Sequence, residues 1–163
     1  MVKSCNEWDT LKEVYVGVVE GAHNPDHDKD LHCINYADRK NMHGIKEGLY
    51  PKQVIEETQE DLEELVTTLK SFGVKVKRPK PQDNQLYFST TEWCTTGYYN
   101  YCPRDSVLIV DDTIIETPMA LRSRYFETFS FKDDFIDYMK DGVKWISAPK
   151  TRLTDDCYQR ENL

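Results

Sequence analysis

Three groups of residues in this 163-residue chain have the types and spacing to do chemistry. The first is Pro103-Arg104-Asp105, directly ahead of a short apolar run from Val107 to Val110. Asp111-Asp112 then forms a turn pair, Thr113 to Glu116 is a second β-prone run, and Pro118 closes it. The pattern predicts a hairpin with Asp105 at its mouth. A carboxylate at the start of a buried strand meets solvent while rigid backbone holds it, so it can face a ligand. The plain alternative is that Asp105 caps a turn, as aspartate often does. Arg104 either orients that carboxylate or makes a surface ion pair.

The second group is His23, Asp26, His27, Asp28, Asp30, His32, Cys33 and His43. Imidazole, thiolate and carboxylate together are what zinc takes. No paired set of them lies on a clear helix, however, so the expectation is no metal and a solvated loop that helps cover a site. The third group is the thiols, of which Cys102, two residues before Arg104, has a cation beside it; it is read as structural.

Elements must position these groups. Leu11 to Val19 is rich in β-branched residues and predicts a first strand. Between Glu20 and Tyr50 no period is visible, and a long loop is expected. Pro51 suits the first position of a helix in which Val54, Thr58, Leu62, Leu65, Val66, Leu69 and Phe72 recur at three- and four-residue spacing, up to Gly73. Acidic residues from Glu56 to Glu64 crowd its first half and read as a solvated face near the positive end of the helix dipole. Val74 to Arg78 alternates as a strand, and a second helix is predicted from about Arg124 to Lys140, ended by Gly142. Val143-Lys144-Trp145-Ile146 repeats the earlier order of glycine, Val-Lys and strand, and both copies finish at Pro-Lys, Pro79-Lys80 and Pro149-Lys150. This weak repeat gives each unit roughly a hairpin, a helix and a strand, and one such unit cannot cover both faces of its own sheet.

Composition bounds the rest. Charged residues make up 31% and apolar residues 39%, and no apolar run approaches the ~20 residues of a membrane span. Five irregularly spaced cysteines and an N-terminus without an apolar core predict a reduced, cytoplasmic protein. A net charge of −8 argues against nucleic acid and anionic membranes and suits a cationic ligand.

The segment from Thr95 to Glu127 resembles the amidinotransferase family, nearest to arginine:glycine amidinotransferase, within the pentein superfamily. The resemblance extends to Asn6-Glu7-Trp8-Asp9 with Leu11-Lys12-Glu13-Val14, to Gly73 through Pro79, and to Lys144-Trp145 with Ala148-Pro149-Lys150. It covers most of the chain in the family's order, but reaches just the N-terminal portion of the longer family enzymes.

The resemblance implies an α/β fold: part of a pentein, or α/β propeller, with about two of five ββαβ-type units around a pseudo-fivefold axis. The expected layout is a single partial domain over 1–163, with a first unit at about 5–80, a second at about 95–150 and a polar C-terminal end at 151–163. It implies an activity in which a cysteine thiolate attacks the guanidinium carbon of arginine, ornithine leaves, and an amine such as glycine takes the amidino group. A guanidinium is a planar fork of donors best met by a carboxylate, and the resemblance gives that role to Asp105; Arg104 beside it is the second candidate for the substrate-binding site. Arg122-Ser123-Arg124 is read as architecture, with Ser123 as a helix cap. The nucleophilic cysteine and its histidine are expected beyond this sequence, and no cofactor is implied. Expected partners are arginine or another guanidino compound, and either a complementing C-terminal chain or further copies of this one. Two other readings stay open: a non-catalytic guanidino-binding or chain-pairing module, and a fragment of an arginine deiminase-like hydrolase.

Overall fold

The computed structural model describes residues 2–159; residues 160–163, the last part of the expected polar end, lie outside the described residues. In chain order, β1 is Glu13–Tyr15, β2 His23–Asn24, α1 Lys29–Asn35, β3 Gly48–Leu49, α2 Lys52–Ser71 and β4 Lys75–Lys77. There follow β5 Phe88–Ser89, β6 Cys94–Thr95, β7 Val107–Val110, β8 Thr113–Glu116, α3 Lys132–Lys140 and β9 Lys144–Ser147. Tight 3-10 turns occupy Pro103–Asp105, Arg122–Arg124, Glu127–Phe131 and Asp155–Cys157.

The hairpin forms where the sequence places it. β7 and β8 are antiparallel with Leu108 opposite Ile115, and Asp111 turns the chain with φ of 51°. β9 returns parallel to β8, with Ile114 beside Trp145, and β4 returns parallel to β1, with Glu13 beside Lys75. Both returns are made the same way. Gly73 and Gly142 take φ of 78° and 88°, a left-handed conformation that costs glycine little, and so stop α2 and α3. Val74 N–H then donates to Leu69 O and Val143 N–H to Tyr138 O, while Lys75 N–H reaches Lys12 O and Lys144 N–H reaches Asp112 O.

α3 packs Phe135 and Tyr138 over Ile114, with Phe131 and Val143 completing a core that Tyr15, Val107, Ile109 and Trp145 flank. The opposite face of this sheet is open: Leu108, Ile115 and Ile146 lie in one cross-strand row, and Leu108 and Ile146 are half exposed. A second cluster, Leu31, Tyr98 and Leu121, holds α1 against the segment leading to Pro103. Among the described residues no helix is long and apolar enough to cross a membrane.

Several expectations need correction. The first strand is three residues long, because after Val16 N–H makes a last bond to Lys77 O the chain leaves β4 to reach Asn100, whose O accepts from Val18 N–H. Pro51 sits at the N-cap of α2, one place before the first helical residue. The supposed structureless loop contains β2, α1 and β3; Asp28 is the N-cap of α1, and its side chain accepts from Lys29 N–H. The second helix starts at Lys132, and the chain before it turns in 3-10 steps. There Arg122, Arg124 and Glu127 are all buried, Arg122 reaching Leu153 O, Asp28 and Asp155 while Arg124 and Glu127 pair with each other, so tertiary contacts override local propensity. Ser123 caps nothing: it lies inside a 3-10 turn with its hydroxyl buried. The strand Val107–Val110 is covered on one face rather than fully buried.

Candidate functional site: a carboxylate held by a buried arginine

The segment carrying Asp105 is threaded tightly before it turns. Val18 N–H donates to Asn100 O and His23 N–H to Tyr98 O, fixing residues 98–100 against the chain after β1. Gly17 allows the crossing, since a Cβ there would meet Tyr101 O at 2.2 Å. Pro103 then opens the 3-10 turn with its φ pre-set. Fully buried Ser106 closes it by donating its hydroxyl to Pro103 O at 3.0 Å, and Thr117, directly after β8, donates its hydroxyl to Asp105 O. Thr117 N–H also donates to Ser106 O, so the main chain at Asp105 and Ser106 is tied to the residue that follows β8.

Its side chain meets a guanidinium of the same chain. Arg124 Nη1 donates to Asp105 Oδ2 at 3.0 Å, and behind it Arg124 makes a two-pronged contact with Glu127, Nε to Oε2 and Nη2 to Oε1. Nη2 also donates to Cys102 O at 3.1 Å, and the guanidinium lies over the Tyr99 ring. Arg124 and Glu127 side chains are 6% and 2% exposed, against 42% for Asp105, so the row runs from interior to surface. Arg124 holds the Asp105 carboxyl below its ordinary range, with Arg104 adding to the effect. Burial pushes Glu127 up, against the pull of Arg124. Burial would lower Arg124, but Glu127 and then Asp105 raise it, so the arginine stays charged.

Arg104 touches Asp105 Oδ1 at 3.3 Å from a side chain that is 91% exposed, and it also walls a cleft of about 760 Å³ with Tyr15, Ile109 and Phe135. Glu127 and Tyr99 wall a second cleft, of about 460 Å³, with Phe88, Asn100 and Phe126. The acids of the hairpin turn are engaged elsewhere, Asp111 with Lys3 and Asp112 with Lys144. Sequence reasoning missed the coupling of Asp105 to Arg124 and Glu127; the Arg-x-x-Glu spacing was the available signal, but the expected helix gave it no distinct meaning.

The His and Asp residues of the early segment work as braces. Buried Asp30 accepts from Arg122 N–H at 2.7 Å, and the Arg122 guanidinium reaches Asp28, Asp155 and Leu153 O. His23 contacts Gly97 O, His32 contacts Arg39 O and His27 pairs with Glu47. Among the described residues no group of three or more His, Cys, Asp or Glu is placed to hold a metal ion. All five thiols are free; those of Cys5, Cys33 and Cys157 contact Asp111, Tyr158 O and Thr154.

The proteins this chain matches are amidinotransferases, and it corresponds to the N-terminal part of these longer proteins. It is 46% identical over 159 residues to inosamine-phosphate amidinotransferase 1 of Streptomyces griseus, a match that takes in 97% of this chain and 46% of that protein. It is 39% identical over 158 residues to the L-arginine:L-lysine amidinotransferase of Pseudomonas savastanoi pv. phaseolicola, covering 96% of this chain and 44% of that one. The solved structure of the Streptomyces griseus inosamine-phosphate amidinotransferase superposes with a TM-score of 0.94 at 46% identity, over 99% of this chain and 47% of the other. The chain thus spans about half the length of the relatives it matches. No protein-family model matches it.

Proposed function

We propose that this chain is the part of an amidinotransferase that presents Asp105 to the guanidinium of arginine, in a protein that passes the amidino group to an amine. The observation that carries this reading is Asp105 itself: a half-exposed carboxylate on a pinned turn, braced from within by Arg124 and Glu127. Two parallel N–H donors of a substrate guanidinium suit its remaining lone pairs, and the fixed backbone spares the entropy of ordering them. Arg104, exposed on the same carboxylate, gives up its place on Oδ1 to the incoming cation.

Amidino transfer requires a thiolate to take the amidino carbon and a base to move protons. The thiols and histidines whose contacts are described above serve the packing of this chain, so it contributes binding, and the rest of the longer protein contributes the covalent chemistry. The fold reading that goes with this is a partial pentein. Its units are residues 5–80 and 95–150, about two of five, with a polar end at 151–163. The like endings of α2 and α3 support the repeat. A complementing chain, or a second copy, covers the row Leu108, Ile115 and Ile146, and five unpaired thiols suit a reducing, cytoplasmic setting. The amine acceptor differs among the relatives, whose names give an inosamine phosphate and lysine.

The test is to incubate a longer protein carrying this chain with labelled arginine and a panel of amines. Ornithine together with an amidinated amine is the expected product. Citrulline would instead indicate a hydrolase, and saturable arginine binding without either product would indicate a binding module.

A further inference from the structure

An aspartate already paired with an arginine is a poor receptor for a second guanidinium. The Asp105–Arg124 pair taken alone is neutral, and an incoming cation would have to compete with the resident one for the same oxygens. The structure supplies the remedy. Glu127 faces Arg124 from the side opposite Asp105, takes two of its donors, and is itself 2% exposed. With Cys102 O and the Tyr99 ring also on the guanidinium, Arg124 spends a single bond on Asp105.

Resting on the guanidinium-binding reading of Asp105, we infer that Glu127 is a positioning residue that neutralises Arg124, so that the three groups carry one net negative charge and the one cation on the outer oxygen of Asp105, the 91% exposed Arg104, is the one a cationic substrate displaces. Glu127 touches no substrate. It acts through Arg124, which both fixes the carboxylate and stays from saturating it. Burial of Glu127 makes the arrangement durable, because a bidentate pair shielded from water is not screened by salt as a surface pair is. A purely structural staple between two 3-10 turns would need the same contacts but would leave the cation affinity of Asp105 untouched when its charge was removed.

The test uses the full chain and methylguanidinium as the probe, followed by the Asp105 side-chain carboxyl ¹³C signal. The wild-type chain is expected to show a saturable shift. Glu127→Gln should weaken methylguanidinium about tenfold or more, the effect of one unit charge removed near a partly exposed site, and should lower the Asp105 pKa further. Glu127→Asp, which keeps the charge, should recover much of the affinity. The double variant Arg124→Gln with Glu127→Gln removes one positive and one negative charge together, and should bind the probe better than Glu127→Gln alone. It also remains informative if the single variant fails to fold, since it leaves no lone buried charge. The inference is overturned if Glu127→Gln binds the probe as wild type does, or if the double variant binds no better than the single one. If the wild-type chain shows no shift at Asp105, it is the guanidinium reading of Asp105 that falls. The response of the Asp105 pKa to Glu127→Gln then still reports on the charge arrangement: a lowered pKa keeps it and an unchanged one removes it.

Discussion

Arg124 and Asp105 are nineteen residues apart in the chain and joined at 3.0 Å by one guanidinium N–H, with the arginine buried and the aspartate half exposed. The bond ties the turn at the mouth of the hairpin to the turns that precede α3. It also sets the pH response of this corner of the fold. The Asp105 carboxyl titrates below its ordinary value of 3.8 because Arg124, and then Arg104, favour its charged form. The unfolded chain therefore binds more protons than the folded one between those two values. The stability the bond contributes is fully present above about pH 4 and is lost as pH falls through the folded value.

Asp105→Asn should accordingly lower the melting temperature at neutral pH, and the gap from wild type should close as pH falls through the depressed value of the folded carboxyl. With the carboxylate this exposed, the loss is about 1 kcal/mol or less. Glu127, raised by burial, gives the opposite slope, so the comparison at fixed Glu127 isolates Asp105. Thermal melts of both proteins between pH 2.5 and 7 (roughly the span of the carboxyl titrations) provide the measurement; a gap that stays constant to the acid end would remove the link between Arg124 and the Asp105 pKa.

Arg122 is the second brace, and its removal should be more costly. Its guanidinium satisfies Leu153 O, Asp155 and Asp28, while Asp30 beneath it is buried. Arg122→Met preserves bulk and the main-chain N–H to Asp30, but strips Leu153 O of its donors and leaves the more exposed Asp28 and Asp155 unpaired, so a loss of about 1–3 kcal/mol is expected, the usual cost of an unsatisfied buried acceptor. Hydrogen exchange should quicken first in α1, with the β7–β8–β9 sheet little changed. Equal quickening in both would show that Arg122 does not act locally.

The hairpin, the long α2 and the strands after each glycine were legible in the sequence because each depends on local pattern: alternation, three- and four-residue spacing, and Gly73 or Gly142 at a helix stop. The α1 helix was not, since its seven residues are too short for a period to show, and it is held by Arg122, some ninety positions away. Likewise, nothing local marks Arg124 and Glu127 as partners of Asp105. The aromatic run from Tyr125 to Met139 looked like one apolar helix face, yet Phe129, Ile136 and Met139 are roughly half exposed and the first turns are 3-10. Asp105 itself could be picked out by its motif, while its dependence on a buried pair required coordinates.

For catalysis in a longer protein, the identity of the carboxylate is the sharpest question. Asp105→Asn keeps the shape but turns one acceptor into a donor aimed at donors, which should cost roughly 2–4 kcal/mol of guanidinium recognition. That is about thirty- to a thousand-fold in kcat/KM for arginine. Asp111→Asn and Asp112→Asn should change it little, because Asp111 faces Lys3 and Asp112 faces Lys144 at the far end of the hairpin. Steady-state kinetics of the three variants decides. Intact turnover in Asp105→Asn with loss in either of the others would place the substrate carboxylate at the wrong end of β7.

Self-association of the isolated chain follows from the surface it leaves open. Leu108, Val110 and Ile146 are 51%, 50% and 52% exposed on one side of the β7–β8–β9 sheet, whose outer strands β7 and β9 pair with no further strand among the described residues, Ser4 bridging to Asp111 just past the end of β7. On α2, Leu65 and Phe72 are 47% and 80% exposed, and Val66 is the one residue of that helix among the described residues that is fully buried. Covering the rest of each side chain gains roughly 1 kcal/mol apiece, and free edges add backbone pairing without a further partner. The 19.2 kDa chain should therefore sediment above its monomer mass in a concentration-dependent way and bind an apolar dye. Leu108→Lys with Ile146→Lys should shift it toward monomer and lower dye binding, while far-UV circular dichroism stays unchanged because neither side chain enters the core. A wild-type chain that sediments as one monomer, melts in a single sharp transition and binds no dye would show that the sheet face is stable uncovered, and that this chain stands alone as a small domain.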